Sequence, residues 1–202
     1  MNPIRSLSML CIMLAACAVV CPAQGEVGGA SGSTCTLKLA QIAEARELYG
    51  LRLGMTVEQV KARVPTLEMG PTDASGLSKT SFSPAFHPAM DKTAYQGVRT
   101  ISLEFLDGRV TSLWIGYDAS FKWKSLDEFV PGIGRSLGLP AAWKQRPRGG
   151  QLLDCVDFQA TAVMIAGSPA IGITDETAKQ TWENRQAAAE QVQEEQEPAT
   201  GP

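Results

Sequence analysis

Five cysteines and a single histidine are the residues of this 202-residue sequence best suited to redox, metal or nucleophilic chemistry. A Ser-His-Asp or Cys-His catalytic arrangement would have to use His87, which lies in the stretch PAFHPAM. His87 and Asp91 could hold a metal only with ligands from elsewhere, and the sequence contains no serine-hydrolase, zinc-peptidase or phosphate-loop motif. We therefore interpret His87 as a structural loop residue and predict no catalytic residue, metal site or cofactor.

Carboxylates and tryptophans provide two further candidate sites. Asp154 and Asp157 would fall on opposite faces of a regular strand, so they should not form an acid–base pair. Carboxylates can still meet in space, and a hydrolase with paired acids is our third hypothesis for function. Trp114 and Trp123 fit core and rim positions better than a sugar-binding platform.

The N-terminal stretch has the three-part layout of a secretory signal peptide. Arg5 precedes an uncharged apolar run from Leu7 to Val20, which is shorter than the roughly 18 to 20 residues of a membrane-spanning helix. Two cleavage sites stay open. The segment Leu14–Cys17 resembles a bacterial lipobox, with Cys17 as the lipidated residue, whereas cleavage after Ala23 gives a soluble protein. We expect an exported protein, periplasmic or secreted, or alternatively an outer-membrane lipoprotein.

Counting cysteines favours the soluble form. Cleavage after Ala23 removes three of the five cysteines and leaves the even pair Cys35 and Cys155. Exported proteins usually oxidise such a pair, so we predict a disulfide bond between them. Closing a loop of about 120 residues would contribute roughly 4 to 5 kcal/mol in the chain-entropy model.

Charge limits the kinds of partner. The chain has 18 basic and 21 acidic residues and a net charge of −3, and loss of the leader with Arg5 makes it one unit more negative. Because clustered cations are missing, we predict no nucleic-acid partner and no membrane contact beyond a lipid anchor. The predicted organisation is a signal peptide at 1–23, a flexible leader at 24–34, one α+β domain at 35–175, and a polar helix with a disordered tail at 176–202.

Local signals for helices and strands are clearest in two places. In the stretch GMTVEQVKARVP, Thr56 and Gln59 form a capping-box pattern, and Pro65 should end the helix. In RTISLEFLDGRVTSLWIGYD, Asp107-Gly108 predicts a two-residue hairpin turn. The expected register places Phe105 opposite Val110, Leu103 opposite Ser112 and Ile101 opposite Trp114.

The remaining elements follow from periodicity and from capping signals. We predict a helix at about 37–48, a strand near Lys79–Ser83, and a turn at 125–129 before a short helix at Pro131–Leu137. Two strands should follow that meet near Gln159-Ala160, with Cys155 inside the first of them. The last elements are a strand containing Ile171 and Ile173 and a polar helix from Thr174 to about Glu195. The fold class is therefore α+β, with an antiparallel meander, short helices and a peripheral C-terminal helix.

The segment GLRLGMTVEQVKARVP resembles the opening of the SmpA/OmlA (BamE-like) outer-membrane lipoproteins and of β-lactamase-inhibitor-like repeats. The pattern L-x-x-G-M-[ST]-x-x-x-V is matched by Leu51, Gly54, Met55, Thr56 and Val60. The resemblance implies a helix that packs on an antiparallel meander and a setting in the cell envelope. The sequence departs from the family pattern after the helix, where Val64-Pro65 replaces G-x-P, and it carries about 80 residues beyond the hairpin that have no counterpart.

These observations lead to a hypothesis of function. We expect an exported, non-catalytic envelope protein that binds another envelope protein during assembly or inhibition. The alternative is a binder of small molecules or glycans that uses the long loop 66–97. The side chains expected on the binding surface are His87, Tyr95, Trp123, Trp143 and Trp182.

Overall fold

The computed structural model describes residues 34–65, 67–87 and 90–196, with side-chain burial given as far as residue 192. The predicted signal peptide, most of the predicted leader, Cys17 and the tail after 196 lie outside these ranges. The helices are α1 (Val57–Arg63), α2 (Leu126–Leu137) and α3 (Glu176–Gln196). The strands are β1 (Leu77–Phe82), β2 (Val98–Leu106), β3 (Arg109–Tyr117), β4 (Lys144–Gln145), β5 (Gln151–Asp154), β6 (Phe158–Ile165) and β7 (Ser168–Asp175).

The fold is α+β, as predicted, and is built on one antiparallel sheet of seven strands in the order β1-β2-β3-β7-β6-β5-β4. Two meanders make up the sheet, β1–β3 before α2 and β4–β7 after it. The last strand returns to pair with β3, so the two meanders join at the centre of the sheet. None of the described helices is long and apolar enough to cross a membrane.

The β2–β3 hairpin turns at Asp107-Gly108, as predicted, but its register was predicted only in part. Phe105 lies opposite Val110 as expected, whereas Leu103 lies opposite Leu113 and Ile101 opposite Ile115. A β-bulge after Val110 leaves one extra residue, Thr111, and shifts the pairing by one position. The shift places the apolar residues of both strands on the same buried face, which a regular hairpin could not do.

One face of the sheet carries the core. Helix α2 contributes Phe129, Ile133 and Leu137, which recur every four residues and are fully buried. Pro131 was predicted to separate a turn from a short helix, but α2 runs through it without a break. The pyrrolidine is exposed on the solvent side of α2, so burial of the apolar side offsets the one lost backbone hydrogen bond.

Helix α1 has the predicted capping box, in which Thr56 and Gln59 each accept a hydrogen bond from the other's backbone N–H. The residues before it dock on the hairpin. Gly54 N–H donates to the carbonyl of Val110 at 2.7 Å, and Val110 N–H donates to the carbonyl of Met55 at 2.9 Å. Gly54 has a φ of +79°, which explains why glycine stands at this turn.

The helix predicted at about 37–48 does not form. Two short 3₁₀ turns, Leu39–Gln41 and Arg46–Leu48, lie in an otherwise extended segment. Besides the bonds within these turns, backbone groups of the segment bond to the body of the protein: Leu39 N–H donates to the Asp157 carboxylate, and Ala43 N–H donates to the carbonyl of Leu137. These distant partners override the helical periodicity.

The predicted disulfide bond joins Cys35 to Cys155, across 120 residues of sequence. Cys155 was expected inside a strand, and the neighbouring strands were expected to meet near Gln159-Ala160. Both expectations are wrong, because β5 and β6 are joined by residues 155–157 and the pair Gln159-Ala160 lies inside β6. The disulfide therefore ties the N-terminal segment to a hairpin turn.

The remaining boundaries differ by a few residues from those expected. The strand predicted near Lys79 is β1, and the C-terminal helix begins at Glu176 rather than at Thr174. Thr174 belongs to β7, where it pairs with Gln159 and Ser112, and the Asp175 carboxylate accepts the hydrogen bond from Ala178 N–H that caps α3.

Candidate functional site

The five residues predicted to form a binding surface each have their own neighbours and do not assemble into one site. Tyr95 stacks on Tyr49 with ring centroids 5.3 Å apart. Trp143 lines a cleft beside α2 together with Gly134 and Leu139. His87 is half-buried in a loop in which its carbonyl accepts a hydrogen bond from Met90 N–H.

Trp123 serves the packing of α2. Its ring meets Phe121 and Phe129 edge-on, at centroid distances of 5.6 and 5.8 Å. The Lys122 ammonium lies 4.2 Å from the ring centroid, in a cation–π position. A Cβ at Gly132 would come within 2.3 Å of the indole ring, so the glycine allows the helix and the ring to touch.

Trp182 anchors α3 to the face of the sheet opposite the core. It lines a small cleft with Leu77, Leu106 and Lys179, and its indole nitrogen is buried without a hydrogen-bond partner among the described residues. One turn later, Arg185 bonds both carboxylate oxygens of Asp107, at 2.9 and 2.8 Å. This bond lowers the pKa of Asp107 and holds α3 on the β2–β3 turn.

Residues 83–87 and 90–97, called the protrusion below, include the 3₁₀ turn that presents Phe86 to solvent. Ser83 Oγ donates to the Arg99 carbonyl at 2.6 Å, and Pro84 is buried. The 3₁₀ turn Pro84–Phe86 closes with a hydrogen bond from Phe86 N–H to the Ser83 carbonyl, and Met90 is 7% exposed beneath the loop. Phe86 is 89% exposed. It was not among the residues predicted to form the binding surface, although an aromatic residue between Pro84 and Pro88 in an irregular segment is a signal for such a turn.

A cluster of three tyrosines lies at the base of this protrusion, and burial raises the pKa of each. For Tyr49 the pKa rises to about 12, mainly through burial and further through the nearby carboxylates of Glu47 and Asp118. Burial also raises the pKa of Tyr95, against a smaller opposing effect of Arg63. Tyr117 is fully buried and donates to the Glu47 carbonyl at 2.9 Å, and its burial raises its pKa well above the usual value.

A groove of about 470 Å³ lies between the N-terminal segment 39–55 and the sheet. Its floor is made by five buried apolar residues: Leu48, Leu51, Met55, Leu113 and Ile173. Three charged side chains line the groove, Glu44, Arg52 and Arg109. This groove was not predicted, because its N-terminal wall depends on the extended course of a segment predicted to be helical.

Among the described residues, no group of three or more His, Cys, Asp and Glu side chains is placed to hold a metal ion. No family model, curated protein or solved structure matches this chain. The resemblance to the BamE-like proteins therefore rests on the five matching residues alone.

Two glycines of α2 provide a matched test of the packing at Trp123. Gly132→Ala should lower the free energy of unfolding by about 1–3 kcal/mol, because the new methyl group meets the Trp123 ring. Gly134→Ala meets nothing closer than 3.8 Å and should be neutral or stabilising by up to about 1 kcal/mol. Urea denaturation followed by circular dichroism measures both changes. Equal stability of the two variants would mean that Trp123 can leave α2 and act as an exposed ring.

The tyrosine cluster predicts a pH dependence. Each folded-state pKa lies above the ordinary tyrosine value of about 10, so the stability gained is fully present below pH 10 and is lost as pH rises through the folded values. An absorbance titration should therefore show less tyrosinate near pH 10 in the native protein than in the denatured chain. Normal titration of one tyrosine in the native state would contradict the packing described.

Proposed function

We propose that this protein is an exported, non-catalytic envelope protein that binds another protein through Phe86 and the turn that carries it. The observation that carries the proposal is the exposure of Phe86, which is 89% exposed to solvent on a turn tied to the sheet. Binding would bury the ring at little cost in backbone entropy, because hydrogen bonds already close the turn.

Phe86 differs in kind from the other exposed apolar residues. Val156, Ile165 and Val192 are 58%, 41% and 51% exposed, and scattered aliphatic residues of this kind are common on protein surfaces. An aromatic ring has a larger apolar surface and is a frequent anchor of protein–protein interfaces. The neighbouring positions Ala85 and His87 are exposed and half-buried, so a partner can reach the ring from the side.

Two features support the proposed location. The leader pattern around Arg5 is typical of exported proteins. The bond between Cys35 and Cys155 is of a kind that forms and persists in oxidising compartments. The resemblance of the Gly54–Val60 segment to envelope lipoproteins is consistent with both.

A photo-crosslinking amino acid placed at position 85 tests the interaction in the envelope of the native host. We expect one dominant protein adduct, because the partner would cover the adjacent Phe86 ring. Phe86→Ala should abolish the adduct and weaken binding of the purified partner by about tenfold or more, the effect of a hot-spot residue. The free energy of unfolding should change by no more than about 0.5 kcal/mol, because the ring is exposed.

Ile165→Ala is the matched control. It also removes a partly exposed apolar side chain, at the turn between β6 and β7, and should leave the adduct unchanged. Loss of the adduct in both variants, or no adduct at native expression levels, would count against the Phe86 surface.

Intact mass spectrometry of the protein from its host tests export. We expect a chain that begins at residue 24, or one that begins at Cys17 with attached acyl chains, and in either case the mass of two hydrogens is missing at the Cys35–Cys155 pair. A full-length chain of 202 residues with free thiols would contradict export.

A further inference from the structure

We propose that the groove beneath residues 39–55 binds a small amphipathic carboxylic acid, with its apolar part on the floor and its carboxylate at Arg109. This binding site is separate from Phe86 and does not depend on the interaction proposed there. The groove is formed without any residue of the loop 66–97, which was the expected location of a small-molecule site.

The interior of the groove suits an apolar ligand. Its volume, about 470 Å³, lies within the range of small-molecule pockets in proteins, roughly 300–1,000 Å³. Above the buried floor, the side chains of Leu39, Ile42 and Leu53 are only partly covered by the rest of the protein. A ligand that filled the space would remove this apolar surface from water, which is favourable in proportion to the area covered.

The charges that line the groove select the sign of the head group. Glu44 and Arg52 form an ion pair at 3.1 Å and offset each other. Arg109 takes part in none of the ion pairs found among the described residues. The net charge along the groove is therefore one positive unit, which favours an anion over a cation.

Arg109 is exposed to solvent, and one hydrogen bond orients its guanidinium. Its Nη1 donates to the Gly54 carbonyl at 3.2 Å, and Gly54 is itself hydrogen-bonded to Val110 of β3. A guanidinium has five N–H donors in a planar fork, and one bond of this kind leaves the others for a carboxylate. The arginine thus meets a ligand with little further loss of side-chain freedom.

The proposal is tested with decanoate, decanol and decylammonium as probes, each below its aggregation concentration, by isothermal titration calorimetry on the purified mature chain. We expect one decanoate per chain, weaker binding of decanol and the weakest binding of decylammonium. Arg109→Gln should weaken the binding of decanoate by about tenfold and change the affinity for decanol by no more than about twofold. The reason is that a charged hydrogen bond at this site contributes of the order of 1.5 kcal/mol, and decanol has no charge.

Two variants test whether decanoate binds in the groove. Arg148→Gln removes an exposed arginine that does not line the groove and should leave decanoate binding unchanged. Ala40→Trp introduces an indole at an exposed position on the groove wall and should abolish binding of both decanoate and decanol. Thermal unfolding of each variant without ligand confirms that the fold is kept.

Several results would overturn the proposal. These are no saturable decanoate binding, equal binding of decanoate and decylammonium, and an equal loss of affinity in Arg109→Gln and Arg148→Gln. If Ala40→Trp removed the crosslink at position 85 while no probe bound, the groove would belong to the protein partner instead. Failure of the Phe86 experiment leaves these measurements unaffected, because the Phe86 ring does not line the groove.

Discussion

The pairing of β3 with β7 is the interaction on which the rest of the structure depends. These strands are formed far apart in the sequence, and their hydrogen bonds are the connection between the two meanders. Leu113 pairs with Ile173 and Ile115 with Ile171, so the centre of the core is made at this junction. The same pair of residues, Leu113 and Ile173, also forms part of the groove floor. The core and the proposed ligand site therefore both depend on the pairing of β3 with β7.

The N-terminal segment lies over the sheet and forms one wall of the groove. It is attached at the Cys35–Cys155 disulfide, at the carbonyl of Leu137 and at Tyr117, whose hydroxyl donates to the Glu47 carbonyl. These attachments keep the segment extended over the body of the protein. An α-helix of the same residues would be shorter and would satisfy its own backbone, so it could not span these points.

Sequence reasoning succeeded where the signal was local. The Thr56 capping box and the Asp107-Gly108 turn each involve residues that are close in sequence, and both are present. It failed where a distant group decided the outcome. The helix expected at 37–48 does not form, because its backbone makes hydrogen bonds to Asp157 and Leu137. The register of the hairpin differs from the predicted one because a bulge at Thr111 lets both strands bury their apolar residues. The groove could not be foreseen for the same reason, since its wall is that extended segment.

The attachment of residue 35 to residue 155 sets an order of events during synthesis. The cysteine nearer the N-terminus leaves the ribosome about 120 residues before its partner, so it must remain unpaired, or pair transiently with something else, while the intervening chain emerges. The residues that follow Cys35 cannot complete their docking until residue 157 has been made, because their hydrogen-bond acceptors lie at Leu137 and Asp157. The first part of the described chain to be made is thus among the last to reach its final position.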